Sequence, residues 1–150
     1  MLRGLDGRAS VHFGVPLTKV ATDASLTVLY RLAPALQPGS SQIQVILNGT
    51  AVASMTAQAA AGPGVSQATV ELPADLLMPE NNLTFQMSGR CAGNCQSASD
   101  PSLATHIDIG SAIRIAGMML PVANDSRLLP SPFFEASSQR ALRLPFVFAR

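Results

Sequence analysis

The stretch Ser25-Leu26-Thr27-Val28-Leu29-Tyr30-Arg31-Leu32 decides the class of fold. Leu26, Val28, Tyr30 and Leu32 fall on one side of an extended chain, and Ser25, Thr27, Leu29 and Arg31 on the other, which is the period of a strand with one face buried. A helix would spread the same apolar residues around its circumference. Downstream, Pro34, Pro38, Gly39 and Ser40 break the pattern, and Gln42-Ile43-Gln44-Val45-Ile46-Leu47 resumes it with Ile43, Val45 and Leu47 pointing one way. Asn48-Gly49 follows at once. Both central positions of a type I′ turn need positive φ, which Asn and Gly tolerate, so this pair predicts a structural turn with Ala51 to Met55 as the returning strand.

The same period recurs on both sides. Val11, Phe13 and Val15 alternate with Ser10, His12 and Gly14, and Pro16 ends that strand. Ala57 to Gly64, rich in Ala, Gly and Pro, reads as a loop. Ala68, Val70 and Leu72 give a strand stopped by Pro73, Asp75 to Met78 a single helical turn, and Leu83, Phe85 and Met87 a further strand. Arg90 to Pro101 is a polar loop, and Ile107 to Ile115 reads as one or two short strands around Gly110-Ser111. Short strands separated by Gly, Pro and Asn loops predict an all-β fold, an antiparallel β-sandwich of jelly-roll or Greek-key type with at most one or two helical turns. An α/β layout would need longer helices between the strands.

Composition narrows the function. Of 150 residues 47% are hydrophobic and only 13% charged, against roughly 25% charged in an average domain. Ten Lys and Arg against nine Asp and Glu leave a formal charge of +1, too weak a field to gather nucleic acid or anionic lipid. No basic segment leads into an apolar one at the start, and Ile109 to Val122, broken by Arg114 and Pro121, falls short of the roughly 18 apolar residues of a spanning helix. The apolar segment Leu142 to Phe148 reads as a cut into something that continues. Trp is absent and Tyr30 is the only tyrosine.

No motif carries catalysis. Gly-x-Ser-x-Gly does not occur, and Gly62-Pro63-Gly64 lacks the remaining residues of a phosphate loop. His106 and Asp108 would share one face of a strand, read as its polar side, and Asp23, Glu71, Asp75, Glu80, Asp100 and Asp125 are scattered where a glycosidase needs two carboxylates across one cleft. Asn48-Gly49-Thr50, Asn82-Leu83-Thr84 and Asn124-Asp125-Ser126 match the glycosylation pattern but read as turn chemistry. Cys91 and Cys95 would close a small disulfide in an oxidising compartment and stay free thiols in a reducing one; zinc would need two more ligands, and His12 and His106 lack paired spacing. No metal, cofactor or catalytic residue is therefore assigned.

The linear pattern resembles a known family. Leu2-Arg3-Gly4, Val11-His12-Phe13, Thr22-Asp23-Ala24-Ser25-Leu26, Leu29-Tyr30, Ser40-Ser41-Gln42-Ile43-Gln44-Val45 and Leu47-Asn48-Gly49 are similar to the opening of the periplasmic subunit of bacterial cellulose synthase. Asn82-Leu83-Thr84-Phe85, Ser102-Leu103, Ile107-Asp108, Leu129-Pro130-Ser131-Pro132-Phe133-Phe134-Glu135 and Leu144-Pro145-Phe146-Val147-Phe148 continue it in the same order. The resemblance implies a jelly-roll, carbohydrate-binding-like domain over residues 1–130. Residues 131–150 would be the linker to a following α/β domain. It also implies a periplasmic protein, anchored to the inner membrane only through a distant C-terminal segment, that performs no chemistry itself. Its partners would be the catalytic subunit that elongates β-1,4-glucan from UDP-glucose, other copies or domains of the same periplasmic protein, and the nascent glucan.

The family is often labelled cyclic di-GMP-binding, yet that regulatory site would belong to the catalytic partner, and Arg140, Arg143 and Arg150 are too few and too separated for one. Two departures stand out: Ala104 replaces a customary aromatic after Ser-Leu, and Cys91 is not a general feature. Sugar rings dock on flat aromatic planes. Tyr30, Phe13, Phe85, Phe146 and Phe148 follow core alternation, which leaves Phe133 and Phe134 as candidate ligand or partner contacts. The alternative function is a purely structural or assembly domain without sugar affinity.

Overall fold

The computed structural model describes residues 1–59, 64–93, 95 and 101–121. In chain order these form β1 (Arg8–Gly14), β2 (Lys19–Arg31), β3 (Gln42–Leu47), β4 (Thr50–Thr56), β5 (Ser66–Glu71), a 3₁₀ turn η1 (Ala74–Leu76), β6 (Glu80–Ser88), a second turn η2 (Pro101–Leu103), β7 (His106–Ile107) and β8 (Ala112–Met119). One sheet has the order β1-β6-β3-β4. The other is built on β2, with β5 on one edge and β7 followed by β8 on the other. All pairings between these strands are antiparallel. Only β3–β4 and β7–β8 are joined within a sheet; every other connection crosses between the two, as a jelly-roll or Greek-key sandwich requires.

Side-chain alternation explains why the sheets face each other. Leu26, Val28 and Tyr30 from β2, Ile43, Val45 and Leu47 from β3, and Leu83, Phe85 and Met87 from β6 are buried together with Val70, Leu72 and Leu103. Tyr30 is 2% exposed, and its hydroxyl accepts the Gln58 backbone N–H at 3.0 Å, so the one tyrosine is a core residue with its polar tip satisfied. Asn48 (φ 51°) and Gly49 (φ 86°) both take positive φ between β3 and β4, the geometry of the predicted tight turn.

Several local expectations need correction. β2 begins at Lys19, ahead of the predicted Ser25, because a bulge between Ala21 and Asp23 resets its alternation while it pairs with β8. β8 likewise runs on to Met119, past the predicted Ile115. The helical turn spans Ala74–Leu76 and not Asp75 to Met78, since Leu76 and Leu77 N–H groups close onto Pro73 and Ala74 carbonyls. Val11 lies on the core side of β1 yet is 48% exposed, because β1 is an edge strand. Asn82 is not a turn residue: it lies in β6 opposite His12.

β7 and β8 act as one interrupted strand along β2. Residues 108–111 loop out between them opposite Val28 and Leu29. Side-chain chemistry closes the gap: Asp108 N–H donates to the Leu29 carbonyl at 2.7 Å, while the Ser111 hydroxyl accepts from Leu29 N–H at 3.0 Å and donates to the Leu29 carbonyl at 3.2 Å.

Candidate functional site

The outer face of the β1-β6-β3-β4 sheet carries a polar surface that the strand pattern produces. Residues alternating with buried Leu83, Phe85 and Val45 must point outward, and the register sets them in rows. Arg8 stands opposite Gln86, Gln86 opposite Gln44, and Gln44 opposite Ser54; in the next rows Ser10 faces Thr84 and His12 faces Asn82. Ser10 and Thr84 hydroxyls hydrogen-bond at 2.8 Å, Ser54 donates to Gln42 Oε1 at 3.3 Å, and Gln86 Nε2 donates to Asp6 Oδ1 at 3.0 Å. Amides and hydroxyls on a rigid sheet offer both donors and acceptors to a neutral, hydroxyl-rich or amide-rich ligand. No aromatic side chain among the described residues is exposed: Tyr30 and Phe85 are buried and Phe13 is half-buried.

One end of the sandwich is pinned by asparagines. Asn48 Nδ2 donates to the Leu76 carbonyl at 2.8 Å and to Asn81 Oδ1 at 2.9 Å, and its Oδ1 accepts Asn82 N–H at 2.8 Å. Asn81, 2% exposed, also accepts Met78 N–H at 2.8 Å and donates to the Met78 carbonyl. The turn residue therefore ties the β3–β4 hairpin to η1 and to the start of β6. Sequence reasoning assigned Asn48 a turn role alone and gave Asn81 none; the available signal was the Asn81-Asn82 pair after Pro79.

The opposite end carries the cysteines. Cys91 and Cys95 stand as a disulfide with Cα atoms 6.1 Å apart, inside the usual range for such bridges. The segment is also held by backbone bonds from Gln37 N–H to the Arg90 carbonyl and from Ala92 N–H to the Ala35 carbonyl, and both cysteines pack against the core.

The other predicted positions are not brought together. His106 is an exposed residue of β7, and Asp108 lies beyond that strand, its Oδ1 accepting Gly110 N–H at 2.9 Å; the shared strand face expected for the two is absent because β7 stops at Ile107. Ala104 is buried, so the position offers no sugar platform. Phe133, Phe134, Asn124 and the proposed domain boundary at residue 130 lie outside the described residues. Among the described residues no group of three His, Cys, Asp or Glu is placed to hold a metal ion, and no helix is long and apolar enough to cross a membrane.

Fold and surface define an antiparallel β-sandwich module of jelly-roll type. More particularly, the chain belongs to the family described as "Cellulose synthase BcsB, first CBM domain", whose model matches residues 1–118. The family is the one that the ordered sequence motifs point to. A protein of Xanthomonas axonopodis pv. citri (strain 306) named "Cyclic di-GMP-binding protein" is 35% identical over 98% of this chain and 19% of its own length. Proteins of the same name from Pseudomonas fluorescens (strain SBW25) and Escherichia coli (strain K12) are 31% and 27% identical over 99% of this chain. The chain thus spans about a fifth of the length of these relatives, 20% and 19% for the latter two. Among solved structures, a family 35 carbohydrate binding module from an environmental isolate aligns with TM-score 0.46 and 13% identity, over 77% of this chain and 68% of that one.

Proposed function

We propose that this chain is a non-catalytic module of the periplasmic subunit of a cellulose synthase, supporting synthesis and passage of β-1,4-glucan by weak contact with the polymer and with neighbouring subunits. The observation that carries this reading is the patch of amides and hydroxyls around Gln44, Thr84 and Gln86, with Arg8 and Asp6 at its border and Ile46 beside Thr84. Such a face can slide along a neutral polymer by exchanging hydrogen bonds with water, each worth only about 0.5–1.5 kcal/mol net. The cyclic di-GMP in the relatives' name is assigned to the synthase complex and not to this module, since two phosphodiesters call for paired guanidinium groups.

The test places charge at the centre of that face. In the full-length periplasmic subunit reconstituted with its synthase, Gln44→Arg combined with Thr84→Lys is expected to lower glucan output while leaving the circular dichroism of the 150-residue chain unchanged. Unaltered output would overturn the reading.

The second reading, a purely assembling domain, is favoured by the lack of an exposed aromatic among the described residues. The isolated chain is expected to bind cello-oligosaccharides weakly or undetectably in either case; submillimolar affinity by NMR titration would eliminate the assembling domain and revise the weak-contact reading.

A further inference from the structure

The turn at Asn48-Gly49 carries a reactivity that its structural role leaves unused. Glycine has no side chain to shield its backbone nitrogen, so the Gly49 nitrogen can attack the Asn48 side-chain carbon Cγ. A Cγ–N bond forms while the Cγ–Nδ2 bond breaks, and Nδ2 leaves as ammonia with the proton given up by the Gly49 N–H. The five-membered succinimide then takes up water and opens to aspartate or to isoaspartate, in which the main chain runs through the former side chain. Base speeds the step by removing the N–H proton, and no oxidant or cofactor takes part. Gly49 is exposed and stands in open space, so water reaches the site. What holds the reaction off is the set of partners around Asn48. Nδ2, the atom that has to leave, donates to the Leu76 carbonyl at 2.8 Å and to Asn81 Oδ1 at 2.9 Å, and Oδ1 accepts the Asn82 N–H at 2.8 Å. The side chain is thus anchored to η1 and to the start of β6, and these three bonds must be given up before Cγ can swing onto the Gly49 nitrogen.

We propose that Asn48 is a spontaneous deamidation site gated by folding: a folded chain is spared, and a chain that stays unfolded is marked irreversibly. In the unfolded chain the protecting partners are not in place, since Leu76 and Asn81 lie 28 and 33 positions further along. The β3–β4 hairpin closes locally, but η1 and β6, which supply the partners, follow later in the chain. Neither product can rebuild this end of the sandwich. An ionised aspartate at position 48 is an acceptor without donors, and it would face the Leu76 carbonyl and Asn81 Oδ1, both of which take a proton from the amide. Turning the Asn81 amide over to donate instead would break its bonds to the Met78 N–H and carbonyl. Asn81 is 2% exposed, so water does not replace what is lost. Isoaspartate inserts one more main-chain carbon into a two-residue turn whose flanks, Leu47 and Thr50, are already paired. This inference does not depend on the proposed function.

The experiment is mass spectrometry of the 150-residue chain, disulfide intact, after incubation at mildly alkaline pH in buffer and in urea. Fragment ions locate the exchange of a side-chain NH2 for OH, with Asn81 and Asn82, each followed by a larger residue, as internal references. In urea, conversion is expected at Asn48 ahead of both references; in buffer it should be slower by at least about tenfold. Asn81→Ala keeps the Asn-Gly pair but removes one acceptor of Nδ2, and it should speed conversion of Asn48 in buffer while leaving the rate in urea unchanged. Converted chains moved from urea to buffer should fail to regain the protease resistance that unconverted chains regain. Equal rates in buffer and urea overturn the proposal. So does a folded Asn81→Ala variant that converts no faster, or converted chains that refold fully. If circular dichroism shows that Asn81→Ala does not fold, the comparison of buffer with urea and the refolding of converted, unsubstituted chains decide the matter.

Discussion

Replacing Asn81 with alanine would take away one of the two acceptors of the Asn48 amide, which keeps the Leu76 carbonyl, together with the side-chain partner of both the Met78 N–H and the Met78 carbonyl. Leaving buried polar groups unpaired is what makes such a change costly, and Asn81→Ala is expected to lower unfolding free energy by about 2–3 kcal/mol in urea titrations. Asn82→Ala, which keeps the backbone N–H bonded to Asn48, should stay within about 0.5 kcal/mol. Two glycines make a similar contrast. Gly49 holds φ +86° in open space, so Gly49→Ala costs only the left-handed backbone, about 1 kcal/mol. A Cβ on Gly117 would run into the Val20 carbonyl oxygen across the β2–β8 pairing, and Gly117→Ala should destabilise more than Gly49→Ala in the same titration. The turn at Asn48-Gly49 was legible because positive φ is a property of those two residues. The bracket to Asn81 was not, because its partners lie 33 positions apart.

Among the elements, β3 and β6 were readable from alternation because each has one face buried along its whole length. The first half of β2 was hidden by its bulge, and the part of β8 beyond Ile115 by apolar residues on both of its faces. The break between β7 and β8 illustrates chemistry that no period predicts: Ser111 stands in for a missing ladder partner. Ser111→Ala would leave Leu29 N–H without that bond and should cost about 1–2 kcal/mol. The Cys91–Cys95 ring encloses few residues, so its reduction or replacement by serines should remove at most about 2 kcal/mol on the chain-entropy estimate. The loss should be local, with faster hydrogen exchange at Ala92 and Gln37 N–H. Thiol counting under denaturing, non-reducing conditions checks the bridge itself, and two reactive thiols in periplasmically expressed protein would contradict it.

Over the whole molecule, low charge and scarce aromatics were visible in composition, and they shape the surface: a sheet face rich in amides and hydroxyls on one side and an apolar groove lined by Leu17, Met78 and Leu120 at one end. The groove was not legible, since Leu17, Met78 and Leu120 come from separate segments and each alone is ordinary in sequence. With a formal charge of only +1, contacts made through the amides and hydroxyls around Gln44, Thr84 and Gln86 should be nearly insensitive to ionic strength. A titration repeated at low and high salt checks this; a steep salt dependence would point to ion pairing in place of amide and hydroxyl contacts.

The dependence of one sheet on β2 also bears on how the chain acquires its shape. β2 is made early, but its edges are filled by Ser66–Glu71 and then by Ala112–Met119, with Lys19 finally bonding a carbonyl 96 positions later. A chain emerging N-terminus first thus carries an apolar strand with open edges until nearly all the described sequence has appeared. Such distant pairings fold slowly and invite aggregation in the interval. The expected outcome is that chains stopped before residue 112 remain dependent on chaperones and sensitive to proteases, while those extended past Met119 become resistant in one step.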